Sequence, residues 1–216
     1  MSVESAKPVI FISYSHKDEP EHPRGDEIQW LSFVRMYLQP AVKGGIFDQW
    51  DDRQMSGGTD WDPEIEQKLR ECDIFILLVS VSSMASDYVV DKEIAIIRER
   101  QANGDDVHFY PLLLTPTPKA GLQKVKDKNL RPRDAKPFSR YSAHDRAEHM
   151  SEAANEIAEI AERIAKQKSA SQRTVAQSPA QPSASSVRFP LRPYHRPARD
   201  RVRAPRRPRR RIEAPR

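Results

Sequence analysis

Short runs of consecutive apolar residues alternate along this chain with longer stretches in which apolar residues recur every three or four positions. Val9 to Ser13 (VIFIS) is the first short run. It is rich in β-branched residues and suits a strand buried on both faces of a parallel sheet. After the polar cluster SHKDEPEHPRGD, Ile28, Leu31, Val34 and Leu38 follow at helical spacing, and Trp30, Phe33 and Tyr37 widen the stripe. Pro40 is expected to end this helix, because it has no amide hydrogen and its ring clashes with the preceding turn.

Gly44-Gly45 opens a second strand, IFDQW, which runs into the polar loop DDRQMSGG. Thr59 or Asp60 is placed to cap a second helix, with Pro63 in its first turn and Trp61, Ile65, Leu69 and Cys72 on one face. Asp73 to Ser80 is apolar throughout its interior and predicts the central strand. A helix is expected over Asp87 to Ala102, with Val90, Ile94 and Ile97 inward and Gly104 just past its end. Val107 to Leu114 predicts a fourth strand, near an edge because Pro111 cannot donate a ladder bond. A short fifth strand is expected near Lys136 to Arg140. A last helix is expected over Ala147 to Lys166, burying Met150, Ala154, Ile157, Ala161 and Ile164.

Strands alternating with helices imply an α/β, flavodoxin-like domain: a parallel sheet of about five strands with helices on both faces. Ligands of such sheets sit beyond the carboxyl ends of the strands. Chemistry is therefore expected at Ser13 to Asp18, Trp50 to Gly58 and Ser80 to Glu93.

Composition changes the picture only near the C-terminus. From Gln167 onward the chain is mostly Ser, Ala, Gln, Pro and Arg and cannot bury a core, so 167–216 reads as a disordered tail, 8–166 as the domain and 1–7 as a flexible lead. Within Val187 to Arg216, twelve Arg against Asp200 and Glu213 give +10. The rest of the chain is then −5 out of the overall +5. Such a tail would bind nucleic acid or acidic surfaces nonspecifically, or else is a plain solvated appendage or out-of-frame translation of GC-rich sequence.

Cys72 is the one cysteine, which fits a reducing compartment and leaves no thiolate cluster. The six His are scattered, and no metal site is expected. With no basic leader, no secretory cleavage pattern and no apolar run of about 20 residues, the chain is expected to be cytoplasmic. Neither a GxGxxG fingerprint nor a GxxxxGK[ST] loop occurs, which argues against hydride transfer and P-loop chemistry. A G-x-S-x-G elbow is also missing, so serine-hydrolase chemistry has no support.

Three segments carry a resemblance. FISYSHKDE (Phe11 to Glu19), FDQWDDRQMSGGTDW (Phe47 to Trp61) and ILLVS…SDYVVDKEI resemble, in order and spacing, the first signature, the BB-loop region and the glutamate-bearing helix of bacterial TIR (Toll/interleukin-1 receptor) domains. The resemblance covers roughly residues 8 to 166 and implies a TIR fold. It further implies an NAD+ glycohydrolase that yields nicotinamide and ADP-ribose or a cyclic isomer, self-associates through the BB-like loop, and serves bacterial defence or interference with host signalling. The alternative is a non-catalytic TIR adaptor acting through TIR–TIR contacts.

The chemistry fits one carboxylate. Nicotinamide already carries positive charge and departs as a neutral ring, so no general acid is needed; what remains is to stabilise an oxocarbenium-like ribose. NAD+ is then a substrate, and no cofactor is implied. By the resemblance Glu93 is the catalytic residue, kept ionised by a nearby helix N-terminus; the plainer reading is a solvated helix residue. Tyr14, Ser15 and His16 match pocket-lining positions, as do Trp50 and Tyr88. Arg53 is suited to a pyrophosphate, and Asp51 or Asp52 to ribose hydroxyls. An ordinary surface turn would account for the same loop residues. Many TIR enzymes carry an aromatic residue four positions before the glutamate, whereas Tyr88 is five before Glu93.

Overall fold

A computed structural model describes residues 7–54 and 61–177. The chain divides into two units, Met1–Ser178 and Pro179–Arg216, and the second lies outside the described residues, as does most of the segment read as tail. The expected cap at Thr59 or Asp60 also falls outside them.

Four parallel strands form the sheet: β1 (Val9–Ser13), β2 (Asp48–Trp50), β3 (Ile74–Val79) and β4 (His108–Leu113), in the order β2-β1-β3-β4. This is the flavodoxin-like order, and the chain reverses its winding direction between β1 and β3. The register pairs Ile10 with Ile74 and Ser13 with Leu77. All six residues of β3 are buried, as its unbroken apolar run demands of a central strand.

Alternate strand residues feed two cores. Ile10, Ile12, Ile76 and Leu112 face α1 (Trp30–Lys43) and α6 (Ala143–Gln177), and meet Leu31, Val34, Leu38, Met150, Ile157 and Ala161. Phe11, Phe75, Leu77 and Phe109 face α2 (Trp61–Glu71) and α4 (Ile94–Ala102), and meet Ile65, Leu69, Ile94 and Ile97. Two short helices complete the count, α3 (Val81–Met84) and α5 (Lys119–Leu122), neither of which the periodicity predicts.

Several expectations change. Pro40 lies inside α1, which runs on to Lys43. The carbonyl that Pro40 leaves without a donor belongs to Met36, which is 59% exposed and open to water, so the proline costs little there. Among the described residues there is no fifth strand. Phe138–Arg140 forms a 3₁₀ turn after Pro137, and the edge of β4 is met instead by single backbone bonds, Leu113 N to Arg131 O at 2.7 Å and Ser139 N to Leu114 O at 2.9 Å. Pro132 and Pro137 cannot donate to a ladder, which prevents a continuous strand. The last helix is longer than expected at both ends, and its final turns lie in the segment read from composition as tail.

The segment before α4 is not α-helical. Tyr88–Glu93 is a π-helical turn, closed by Ile94 N bonding to Val89 O. The wider turn carries Val89 inward, 4% exposed, and leaves the expected Val90 partly buried against the same core. A π-turn inserted in an α-helix is a frequent mark of a functional site.

Candidate functional site

Ser13 ends β1 and Ser80 follows β3, so the two hydroxyls stand at the carboxyl ends of the paired strands where the winding reverses. Ser13 Oγ donates to Glu93 Oε2. Glu93 is only 6% exposed, and the reading of it as a solvated helix residue is set aside. Ser80 Oγ donates to Asp18 Oδ2 at 2.5 Å and also accepts from Ser83 N at 3.0 Å, capping α3 and tying the loop after β1 to the loop after β3.

Burial pushes the Glu93 carboxyl up to about 7; the Ser13 hydrogen bond opposes that rise, and the negative charge of Asp52 adds to it. This corrects the expectation of a carboxylate kept ionised by a helix terminus. The π-turn feeds directly into α4, and its backbone bond to Ile94 uses an amide that an isolated helix would leave free. Burial therefore outweighs the dipole.

The π-turn also settles the spacing of Tyr88. In an α-helix two residues five apart point about 140° away from each other. Because π-helical bonds link residues five apart, Tyr88 and Glu93 sit one turn from each other, near enough for the Glu93 charge to act on the phenol. The Tyr88 hydroxyl donates to Asp62 Oδ1 at 3.0 Å, and Lys92 Nζ lies 5.4 Å from its ring centroid while pairing with Asp62 and Glu66.

The loop after β2 divides its charges. Asp51 is fully buried and points to α1, where Arg35 reaches it at 3.1 Å. Arg53 is taken up by Glu19 at 3.1 Å and Asp51 at 3.6 Å. Asp52 instead turns to the strand ends: its Oδ2 lies 2.6 Å from His16 Nε2, and its Oδ1 is buried with no hydrogen-bond partner among the described residues. Burial, and then Asp52, drives the Tyr14 phenol far above its ordinary range, so it remains a neutral donor.

The structure thus brings Tyr14, His16, Asp52, Tyr88 and Glu93 to one end of the sheet. Trp50 packs below them against Phe11, ring centroids 5.0 Å apart, and Ser15 caps the 3₁₀ turn His16–Asp18. Ser13 lies in a segment where chemistry is expected but is not singled out by the sequence; its signal is a lone hydroxyl closing an otherwise apolar buried strand. Among the described residues no three His, Cys, Asp or Glu are grouped to hold a metal ion, and no helix is long and apolar enough to cross a membrane.

An uncharacterised protein, y4lF, of Sinorhizobium fredii is 30% identical over 165 residues, 76% of this chain; the chain spans about half the length of that curated relative, 46%. Among solved structures, the TIR domains of the activated Roq1 resistosome recognising the pathogen effector XopQ are 14% identical, with a TM-score of 0.40 over 68% of this chain and 84% of that one. The profile of the family described as TIR domain matches residues 10–146, more than half of the chain, and this protein belongs to that family.

Proposed function

We propose that the protein is an NAD+ glycohydrolase with Glu93 as its catalytic carboxyl. One observation carries the reading: a glutamate held almost dry at the carboxyl ends of β1 and β3, met by a single serine hydroxyl and raised to about 7. A glutamate serving only a docking surface has no need of burial, and displaced carboxyls cluster where sites are built for chemistry. In the reaction the bond from ribose C1′ to the nicotinamide nitrogen breaks, and its electron pair passes to the ring, which leaves neutral. Water adds to C1′ and one proton is released. Ionised Glu93 faces the ribose as it becomes cationic, in a setting where water screens little.

TIR domains commonly self-associate, and we assign the contact between copies to the BB-like loop DDRQMSGG, of which residues 55–58 lie outside the described residues. A shared cleft would make turnover per subunit rise with protein concentration. The test is NAD+ consumption across a wide dilution series of purified protein, with nicotinamide and ADP-ribose products resolved by chromatography and Glu93→Ala and Glu93→Gln run alongside. Nicotinamide release by the wild type, lost in both variants, supports the reading. Intact NAD+ at the highest concentration overturns it in favour of an adaptor that binds other TIR domains, and a flat specific activity removes the shared cleft.

A further inference from the structure

His16 and Asp52 form a dyad that the proposed departure of nicotinamide does not use. The dyad spans the first two strand ends, since His16 opens the 3₁₀ turn after β1 and Asp52 opens the one after β2. His16 Nε2 and Asp52 Oδ2 are 2.6 Å apart. A carboxylate can only accept, so the proton of a neutral imidazole sits on Nε2 and the lone pair is left on Nδ1. The Tyr14 and His16 rings lie 5.3 Å apart. The His16 side chain is 73% exposed, whereas that of Asp52 is 17% exposed. A half-buried acceptor orienting an exposed imidazole is an arrangement that presents a base to an incoming water. Asp52 also acts on the charge of Glu93, and both stand at the carboxyl ends of the strands.

Resting on the glycohydrolase reading, we propose that His16 is the general base for the water that captures ribose C1′, and that Asp52 is the residue positioning it. As nicotinamide leaves with the electron pair of the C1′–N bond, a water oxygen donates a lone pair to C1′. One proton of that water passes to His16 Nδ1 and then to bulk solvent, giving nicotinamide, ADP-ribose and one proton. A pyridine capturing the same ribose brings a lone pair and no proton. Hydrolysis therefore needs the base, and exchange of nicotinamide for another pyridine does not.

The experiment sets the two captures in competition. Full-length protein is incubated with NAD+ and 3-acetylpyridine, and ADP-ribose and the exchanged dinucleotide are separated for wild type, His16→Gln and Asp52→Asn. Both substitutions should lower the ratio of hydrolysis to exchange by about tenfold or more while exchange continues, and imidazole added to His16→Ala should restore hydrolysis. The exposure of His16 keeps its variants folded, and a melting curve verifies Asp52→Asn. Hydrolysis and exchange falling together at an unchanged ratio, or a ratio untouched in His16→Gln, overturns the base role while the glycohydrolase reading stands. A wild type that cleaves no NAD+ with or without the pyridine overturns both.

Discussion

Glu93 at the carboxyl ends of the strands and Glu156 on α6 are the same side chain in opposite surroundings. Glu156 is surrounded by donors: Arg131 through Nε at 2.6 Å and again through its NH2, Arg133 at 3.6 Å, and the Tyr110 hydroxyl at 2.7 Å. The Arg131 hydrogen bonds pull its carboxyl down to about 2 against the effect of burial, with Tyr110 adding to the fall. Glu93 has one hydroxyl and a neighbouring negative charge, and burial pushes it up to about 7. Asp73, at the amino ends of the strands, resembles Glu156, for it accepts from Val9 N at 2.8 Å and pairs with Lys168 at 2.7 Å. Glu156 and Asp73 are each met by several donors, whereas Glu93 and Asp18, at the reversal of the sheet, are each met by one serine hydroxyl and raised by burial.

The widest test of this contrast is to neutralise each glutamate. Glu93→Gln should reduce NAD+ cleavage by at least about a hundredfold, the usual cost of losing one preorganised charge at a developing ion. Glu156→Gln should leave turnover unchanged and lower unfolding stability by about 1 to 3 kcal/mol, because Arg131 loses a charged acceptor. Activity assays beside urea titrations read both effects. If Glu156→Gln removes activity as thoroughly as Glu93→Gln, the division into bracing and reacting carboxyls fails.

Much of this was legible in the residues. VIFIS, the buried run of β3 and the Pro111-bearing edge strand appear where unbroken or interrupted apolar runs predict them, since burial on both faces leaves no room for polar alternation. The α6 stripe of Met150, Ala154, Ile157, Ala161 and Ile164 is likewise buried as its period requires. What the sequence hid depends on long-range contact. Asp51 and Asp52 are adjacent and identical, and only the placement of Arg35 and His16 sends one to α1 and the other to the strand ends. The π-turn has no propensity signature of its own; the unusual five-residue interval from Tyr88 to Glu93 is its trace. Proline caused errors in both directions: Pro40 was tolerated on an exposed turn, and Pro137 blocked an expected strand.

A second test concerns stability, where the two glutamates should respond to pH in opposite senses. The folded Glu93 carboxyl is raised above its ordinary 4.5, so the stability it contributes is complete below that value and is lost as pH rises through about 7. At about pH 8 wild type then bears a cost on the order of 3 kcal/mol for holding the charge, and Glu93→Gln should melt higher; the gap should shrink as the pH falls toward 4.5. Glu156, lowered to about 2, contributes stability present above its ordinary 4.5 and lost as pH falls through about 2, so Glu156→Gln should melt lower at neutral pH. Melting curves for the two variants that move in the same direction at about pH 8 would remove the contrast.

The smallest expected effect isolates Glu93 from the dyad beside it. With 3-acetylpyridine as acceptor, capture requires no base, and the pH profile of kcat/KM for exchange reports ionisation of Glu93 in the free enzyme. From one unit below about 7 to one unit above it, the ionised fraction climbs from about a tenth to about nine tenths, so exchange should rise about ninefold and then level. His16→Gln should keep that rise, because the raised value comes first from burial of Glu93 and only then from Asp52. Asp52→Asn should move the rise to lower pH by removing the neighbouring charge. A profile already level well below 7 would mean that Glu93 is ionised like Glu156, and the difference between them would then lie in their partners alone.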